Sequence, residues 1–343
     1  MTQDMVQLNR NNDKLFRKLM GRIGVGMCIW LAVFQGLGTI AVLLSELMLA
    51  FGMDETAGYV LSEILSMLAY IFGFLIPTLI LRKMLRAKDW DYVPAMKKPP
   101  SKWTPLWILS AIAVNFAAAY MNAYLVELLL PFGGIDSSLF ESGISEPYQI
   151  VLALISTAVI PALVEEFLFR GVILSNMIPF GRDAAILGSA LLFGLMHGNI
   201  LQFLYTTLMG VVLGYVYVYT KSIWCCVLIH FFNNALSVAQ EAMLNCLDYD
   251  VAVRVSGGLE LAVLVLGAIS VILLLRHRRR QPKPEEQGSF GVILEPSLTY
   301  EEYPLTRGRK LINFFSPAMI VFLVLSCVTM LTTLLSLMLM SAM

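Results

Sequence analysis

Nine apolar runs separated by short polar segments set the pattern of this chain. They cover residues 23–51, 58–81, 104–130, 148–175, 184–198, 200–219, 222–241, 257–275 and 316–341. All but the fifth are close to or above the ~20 residues that carry a helix through the hydrocarbon core of a bilayer. Without water the backbone must bond to itself, so such runs predict helices rather than strands or loops. The expectation is an all-α, polytopic transmembrane bundle of about eight or nine spans enclosing an intramembrane polar cavity. The fifth run or the last one is a candidate for a re-entrant segment.

The polar segments divide the chain. Residues 1–22 form a basic N-terminal segment, 23–147 hold the first spans and loops, and 148–241 form a core in which polar groups interrupt the apolar runs. Residues 242–275 add a loop and a further span, 276–315 a basic, Pro-containing linker, and 316–343 the last span. With the N-terminus inside, the loops after spans two, four, six and eight are cytoplasmic. Of 24 Lys and Arg residues, only Arg254 then falls in an external loop, and Arg170 lies within a span. This agrees with the positive-inside rule. The predicted location is the cell membrane as a multi-pass protein, in a bacterial plasma membrane, with the N-terminus cytoplasmic.

Composition strengthens the membrane reading: 58% of residues are hydrophobic, 14% are charged, and the mean hydropathy is +0.75. A soluble domain carries about 25% charged residues. Net charge is zero and gives no bias toward any partner. The five cysteines, at 28, 225, 226, 246 and 327, have no ligand-like spacing and read as reduced packing residues. The first run is too long for a signal-peptide core and lacks a small-residue cleavage site, so it is expected to stay as a helix.

Several polar positions have structural readings. Glu46, Glu63 and Glu127 lie near span ends, where side chains snorkel to water. Asn115 and Asn122 share a face of span three and should bond neighbouring helices. Gly194/Gly198 and Gly210/Gly214 would let spans five and six pack closely. His277 sits in a basic run and is expected to be solvated.

One stretch resists such a reading. Val164 to Gly171, VEEFLFRG, puts Glu165, Glu166 and Arg170 into membrane-grade sequence. Ionised groups at that depth cost several kcal/mol and mark functional sites. Glu166 and Arg170 are spaced i,i+4 and can pair on one helix face. Glu165 is rotated by about 100° and is left as the freer carboxylate, the better candidate for a general base. Two further histidines occur in apolar runs, each with an i,i+4 companion: Phe193 with His197, and His230 with Asn234. An aromatic ring beside His197 would restrict its imidazole. The Asn234 amide beside His230 offers donors to a developing oxyanion, with Asn233 as a competitor. Pro161, four residues before Glu165, removes a backbone hydrogen bond and should bend the helix or admit water.

A carboxylate base, two imidazoles and an amide in a membrane cavity suit hydrolysis of a peptide carbonyl. No GxSxG elbow, HExxH or GxGD motif is present. Glu165, His197 and His230 could also form a three-ligand catalytic Zn2+ site. The residues leave open whether water is held by Glu165 and the histidines or on a metal.

The three motifs, Glu165-Glu166-Phe-Leu-Phe-Arg170, Phe193-Gly-Leu-Met-His197 and His230-Phe-Phe-Asn-Asn234, together resemble the CPBP (Abi) family. This family includes type II CAAX prenyl endopeptidases and bacterial bacteriocin-processing or self-immunity membrane proteins. The resemblance covers roughly residues 148–241. It implies an intramembrane endopeptidase in which Glu165 activates water and His197 assists, while His230 and Asn234 stabilise the oxyanion. Glu166, Arg170 and Phe193 would support them. The family carries a metalloendopeptidase label, and a metal-free, glutamate-activated water fits the motif as well. Members that keep the motif also act as scaffolds or immunity factors, so a non-catalytic or transporter-like module is the alternative. The implied partners are the bilayer and a peptide or lipidated, membrane-anchored protein, with no nucleic acid.

The spacing leaves one tension. Counted from these boundaries, Glu165 and His230 lie in the cytoplasmic half of their spans and His197 closer to the external side. Closing the site requires that span five tilt, start later or dip as a re-entrant turn, with the cavity then opening toward the cytoplasm among spans four, five and seven.

Overall fold

The computed structural model describes residues 3–87, 92–133, 144–279 and 305–341, with the side chains of 3–10, 125–133, 278–279 and 340–341 left undescribed. The acidic loop after span three and most of the basic linker therefore lie outside the described residues, as does the Glu127 side chain. Among the described residues the protein is a helical bundle. Its helices are α1 (Gln3–Ala50), α2 (Glu55–Leu85), α3 (Thr104–Gly133), α4 (Pro147–Phe180), α5 (Arg182–Met196), α6 (Ile200–Thr220), α7 (Ile223–Cys246), α8 (Tyr249–Arg279), α9 (Arg307–Phe314) and α10 (Pro317–Ser341). Eight of them, all except α5 and α9, are long and apolar enough to cross a membrane. Leu43, Leu261 and Leu339 are 59, 63 and 67% exposed, as lipid-facing positions should be.

The N-terminal segment differs from a solvated basic arm. The helix of α1 runs through it, and Phe16, Leu19, Met20, Ile23, Met27 and Trp30 form one buried stripe. Their spacing of three and four residues is that of a helix face. The basic residues between them mask this stripe in a hydropathy profile. Phe16 packs against Phe180, with ring centroids 4.8 Å apart. The short helix α9 lies against α1, with Arg309 paired to Asp13 and Asn313 Nδ2 donating to Asp13 Oδ1 at 2.9 Å. Nothing in the apolar pattern signalled α9, which is amphipathic and only eight residues long.

The glycine pairs act largely as expected. A Cβ on Gly210 would meet Ala190 Cα at 2.9 Å, and one on Gly214 would meet Ile186 Cγ2 at 3.2 Å. These close approaches clamp α5 against α6. Gly198 plays a different part: it has φ +61° and forms the turn between these helices. Asn115 Nδ2 donates to Asn233 Oδ1 at 3.3 Å, and Asn122 Nδ2 donates to Leu201 O at 2.7 Å. Both amides tie α3 to neighbouring helices. All five cysteines are free. His277 is not simply solvated: its ring stacks on Trp103 at 4.0 Å between centroids.

The α2–α3 connection is also more than a surface loop. Val93 N donates to Asn176 Oδ1 at 3.0 Å, Met96 N to the Tyr217 hydroxyl at 2.8 Å, and Ile223 N to Met96 O at 2.9 Å. The loop is thereby pinned across the ends of α4, α6 and α7. A Cβ on Gly171 would lie 3.6 Å from Ala95 Cβ and 3.3 Å from Ile223 Cδ1, so the last residue of VEEFLFRG sits directly under this loop.

Candidate active site

Helix α4 positions the two glutamates, and it is irregular on both sides of them. Leu154–Val159 and Phe167–Leu174 are π-helical, and Ile160–Glu166 between them is α-helical. Pro161 stands in that central piece, as its missing N–H requires of a break in the ladder. Single π turns inside α-helices recur at functional sites. The carbonyl four residues before Pro161 belongs to Thr157, and it accepts instead from Asn234 Nδ2 on α7 at 2.8 Å. At the other end, the Arg170 carbonyl accepts from Ser175 Oγ at 2.9 Å.

The carboxylates have different partners, in the sense the spacing suggested. Glu166 Oε1 accepts from Arg170 Nη1 at 2.8 Å and from His230 Nδ1 at 2.9 Å. Arg170 Nη2 donates to Gly210 O at 3.2 Å, and its guanidinium carbon lies 4.5 Å from the centroid of the Phe193 ring. Glu166 and Arg170 are completely buried, at 0% exposure each. Glu165 makes no contact with the arginine. Its Oε1 accepts from the hydroxyl of Tyr70 on α2, while its Oε2 has no hydrogen-bond partner among the described residues and lies 4.0 Å from His230 Nε2. His230 thus stands between the glutamates, with Nδ1 held by one and Nε2 turned to the other.

Phe193 joins the two histidines. Its ring makes edge contacts with Phe169 at 5.1 Å, His197 at 5.2 Å and His230 at 6.0 Å between centroids. The Phe193 carbonyl is 2.8 Å from His197 Nδ1, which fixes the imidazole from its own helix.

The depth conflict disappears because span four does not end at residue 175. Ser175 and Asn176 read as a polar stop, yet both are buried: Ser175 Oγ bonds the Tyr217 hydroxyl at 2.6 Å, and Asn176 Nδ2 donates to Val172 O at 2.8 Å. Helix α4 continues to Phe180 and turns at Gly181, whose φ is 125°. Glu165 and His197 are each sixteen residues from Gly181, so at ~1.5 Å per residue they reach the same depth, about 24 Å. Helix α5, at 15 residues, is too short to cross the ~30 Å core and ends at His197. Helix α5 starts at Arg182, slightly earlier than expected, and joins α6 through the turn at Gly198.

Asn234, one turn along α7 from His230, reaches the π-helical turn of α4 through its Nδ2. Its Oδ1 accepts from Asn233 Nδ2 at 3.1 Å, and Asn233 also bonds the Tyr205 hydroxyl at 2.9 Å. Tyr70 was not anticipated, because it stands ninety-five residues before Glu165 in a span with no motif. Its one sequence signal is a hydroxyl-bearing aromatic in the middle of an apolar helix.

The cavity expected among spans four, five and seven is closed over Glu165 and His230, which are 2 and 3% exposed. A cavity of about 290 Å³ does reach His197, lined on its far side by Gln35 of α1 and by Ser326 and Thr329 of α10. Among the described residues, no three His, Cys, Asp or Glu side chains are grouped to hold a metal ion.

These features define a class: a polytopic α-helical membrane protein with a buried glutamate–arginine–histidine network at π-helical turns. Residues 147–236, from the start of α4 into the second half of α7, match the family model of Type II CAAX prenyl endopeptidase Rce1-like proteins, which supports assignment to the CPBP/CAAX proteases. No curated protein and no solved structure matches the chain.

Proposed function

We propose that this protein is an intramembrane endopeptidase that hydrolyses a peptide bond in a membrane-associated or lipidated protein, using water activated by Glu165. The observation that carries the reading is the pairing of Glu165 Oε2 with His230 Nε2 across 4.0 Å. That separation is too long for a direct hydrogen bond and suits one bridging water. With Nδ1–H donating to Glu166, the tautomer of His230 that this bond selects leaves Nε2 as an acceptor. Such a water would donate to Glu165 and to His230 and keep a lone pair for the carbonyl carbon. Glu165 takes its proton as the C–O bond forms, then returns it to the amide nitrogen as the C–N bond breaks. His197 and the unused N–H of Asn234 are the candidates to stabilise the oxyanion. Glu166 and Arg170 hold His230 in orientation and touch no reacting atom. Because zinc would need the three donors to converge further, no step is assigned to it.

The basic ends of α1 and α2, the α2–α3 loop and α9 cluster at one end of the bundle, which favours a cytoplasmic N-terminus. A second reading has a specific basis: Glu166, Arg170 and His230 are buried and bonded to one another, as a purely structural or immunity-type scaffold would have them. One experiment separates the two. Membrane peptides from cells carrying the wild-type chain or Glu165→Gln are compared by mass spectrometry. Endopeptidase activity predicts products present only with the wild type, whereas a scaffold gives identical peptides and full biological activity for both.

A further inference from the structure

A second cavity lies away from the glutamates. It has a volume of about 510 Å³ and sits between α3, α6 and α8, sharing no lining residue with the Glu165 network. Its inner wall is apolar, with Val114, Val212, Val271 and Leu274, and its mouth carries Lys98, Trp103 and His277. Among the described residues, no carboxylate lines it.

The mouth has the makings of an anion site at a membrane interface. Trp103 stacks on His277, and Lys102 Nζ lies 5.7 Å from the Trp103 ring. Trp107, Tyr215 and Tyr219 line the same entrance, with Trp107 and Tyr219 centroids 5.2 Å apart. Such aromatic belts settle at headgroup level. Val114 lies eleven residues beyond Trp103, along the first turns of α3, about 16 Å or roughly one leaflet of a ~30 Å core.

We propose that this cavity binds an anionic phospholipid, with its phosphate at Lys98 and His277 and one acyl chain lying inward between α3, α6 and α8. Basic pockets between transmembrane helices are suited to anionic headgroups. The cationic mouth without a carboxylate selects against zwitterionic lipid, and the leaflet-deep apolar channel selects against soluble phosphates. The assignment is independent of peptidase activity.

Tryptophan quenching tests it on the full chain in nanodiscs. Phosphatidylglycerol or phosphatidylcholine with brominated acyl chains is titrated into zwitterionic lipid. The expected result is half-maximal quenching at a several-fold lower mole fraction of the glycerol lipid, with most of this component lost in Trp107→Phe. Lys98→Gln combined with His277→Gln should abolish the preference, and Lys98→Arg should retain it. Equal curves for the two lipids in the wild type, or a preference that survives the double substitution, would overturn the proposal.

Discussion

The hydroxyl of Tyr70 on α2 donates to Oε1 of Glu165 on α4, which leaves Oε2 of that carboxylate facing His230. Tyr70 stacks on Phe74 at 4.9 Å, so the donor is itself held by packing. A hydrogen bond to an ionised group contributes about 1.5–3 kcal/mol, equivalent to about ten- to hundredfold in rate if it orients the base. Tyr70→Phe keeps the ring and removes only the donor. It is expected to lower kcat by that range with KM changed less than about twofold, and to lower the thermal midpoint modestly because Glu165 Oε1 loses its donor. A large KM change with normal kcat would assign Tyr70 to substrate binding instead.

Glu166 and Arg170 behave as a unit because neither has water to fall back on. Removing one partner of a buried ion pair costs about 3–5 kcal/mol, while replacing both by apolar residues of similar size is far milder. Glu166→Gln and Arg170→Met should each lower the unfolding midpoint in detergent sharply. The Glu166→Met/Arg170→Met double variant should recover most of the loss. His230 would then lack its Nδ1 acceptor, so recovered stability without recovered cleavage is the expected combination.

How much of this was legible in the sequence follows from range. The i,i+4 pairs Glu166–Arg170 and Phe193–His197 are local, and helix periodicity alone assigns them. Tyr70–Glu165 and Asn234–Thr157 depend on which helices become neighbours, and no spacing rule reports that. Hydropathy also misplaced the end of α4, since Ser175 and Asn176 are polar yet satisfied inside the protein. It missed the buried face of residues 11–22 of α1 because the lysines and arginines between Phe16 and Ile23 lower the average. Membership of a helix was readable, but depth and docking were not.

The donor arrangement gives a direct test of metal use. His230 Nδ1 is committed to Glu166 and His197 Nδ1 to a backbone carbonyl, so only the two Nε2 atoms and Glu165 Oε2 are free to face a shared guest. For water activated by Glu165 without a metal, cleavage by purified protein should survive prolonged chelation, and metal analysis should find well under one zinc per chain. Loss of activity on chelation with recovery on added Zn2+ would instead require Glu165 and both histidines to converge.

The Asn234 amide stands where the helix ladder of α4 is broken, and this makes its role separable by a double-mutant cycle. In a regular helix the Thr157 carbonyl would accept from residue 161, and proline has no N–H to give. Asn234 Nδ2 supplies that bond from α7 at 2.8 Å. Asn234→Ala should therefore cost about 1–3 kcal/mol by orphaning a carbonyl. Pro161→Ala restores a backbone donor at the same position, so in that background Asn234→Ala should cost markedly less. The coupling energy from unfolding in detergent measures the brace directly. If Asn234 also contacts the oxyanion, kcat stays low in the double variant after stability returns. If it is only a brace, activity follows stability.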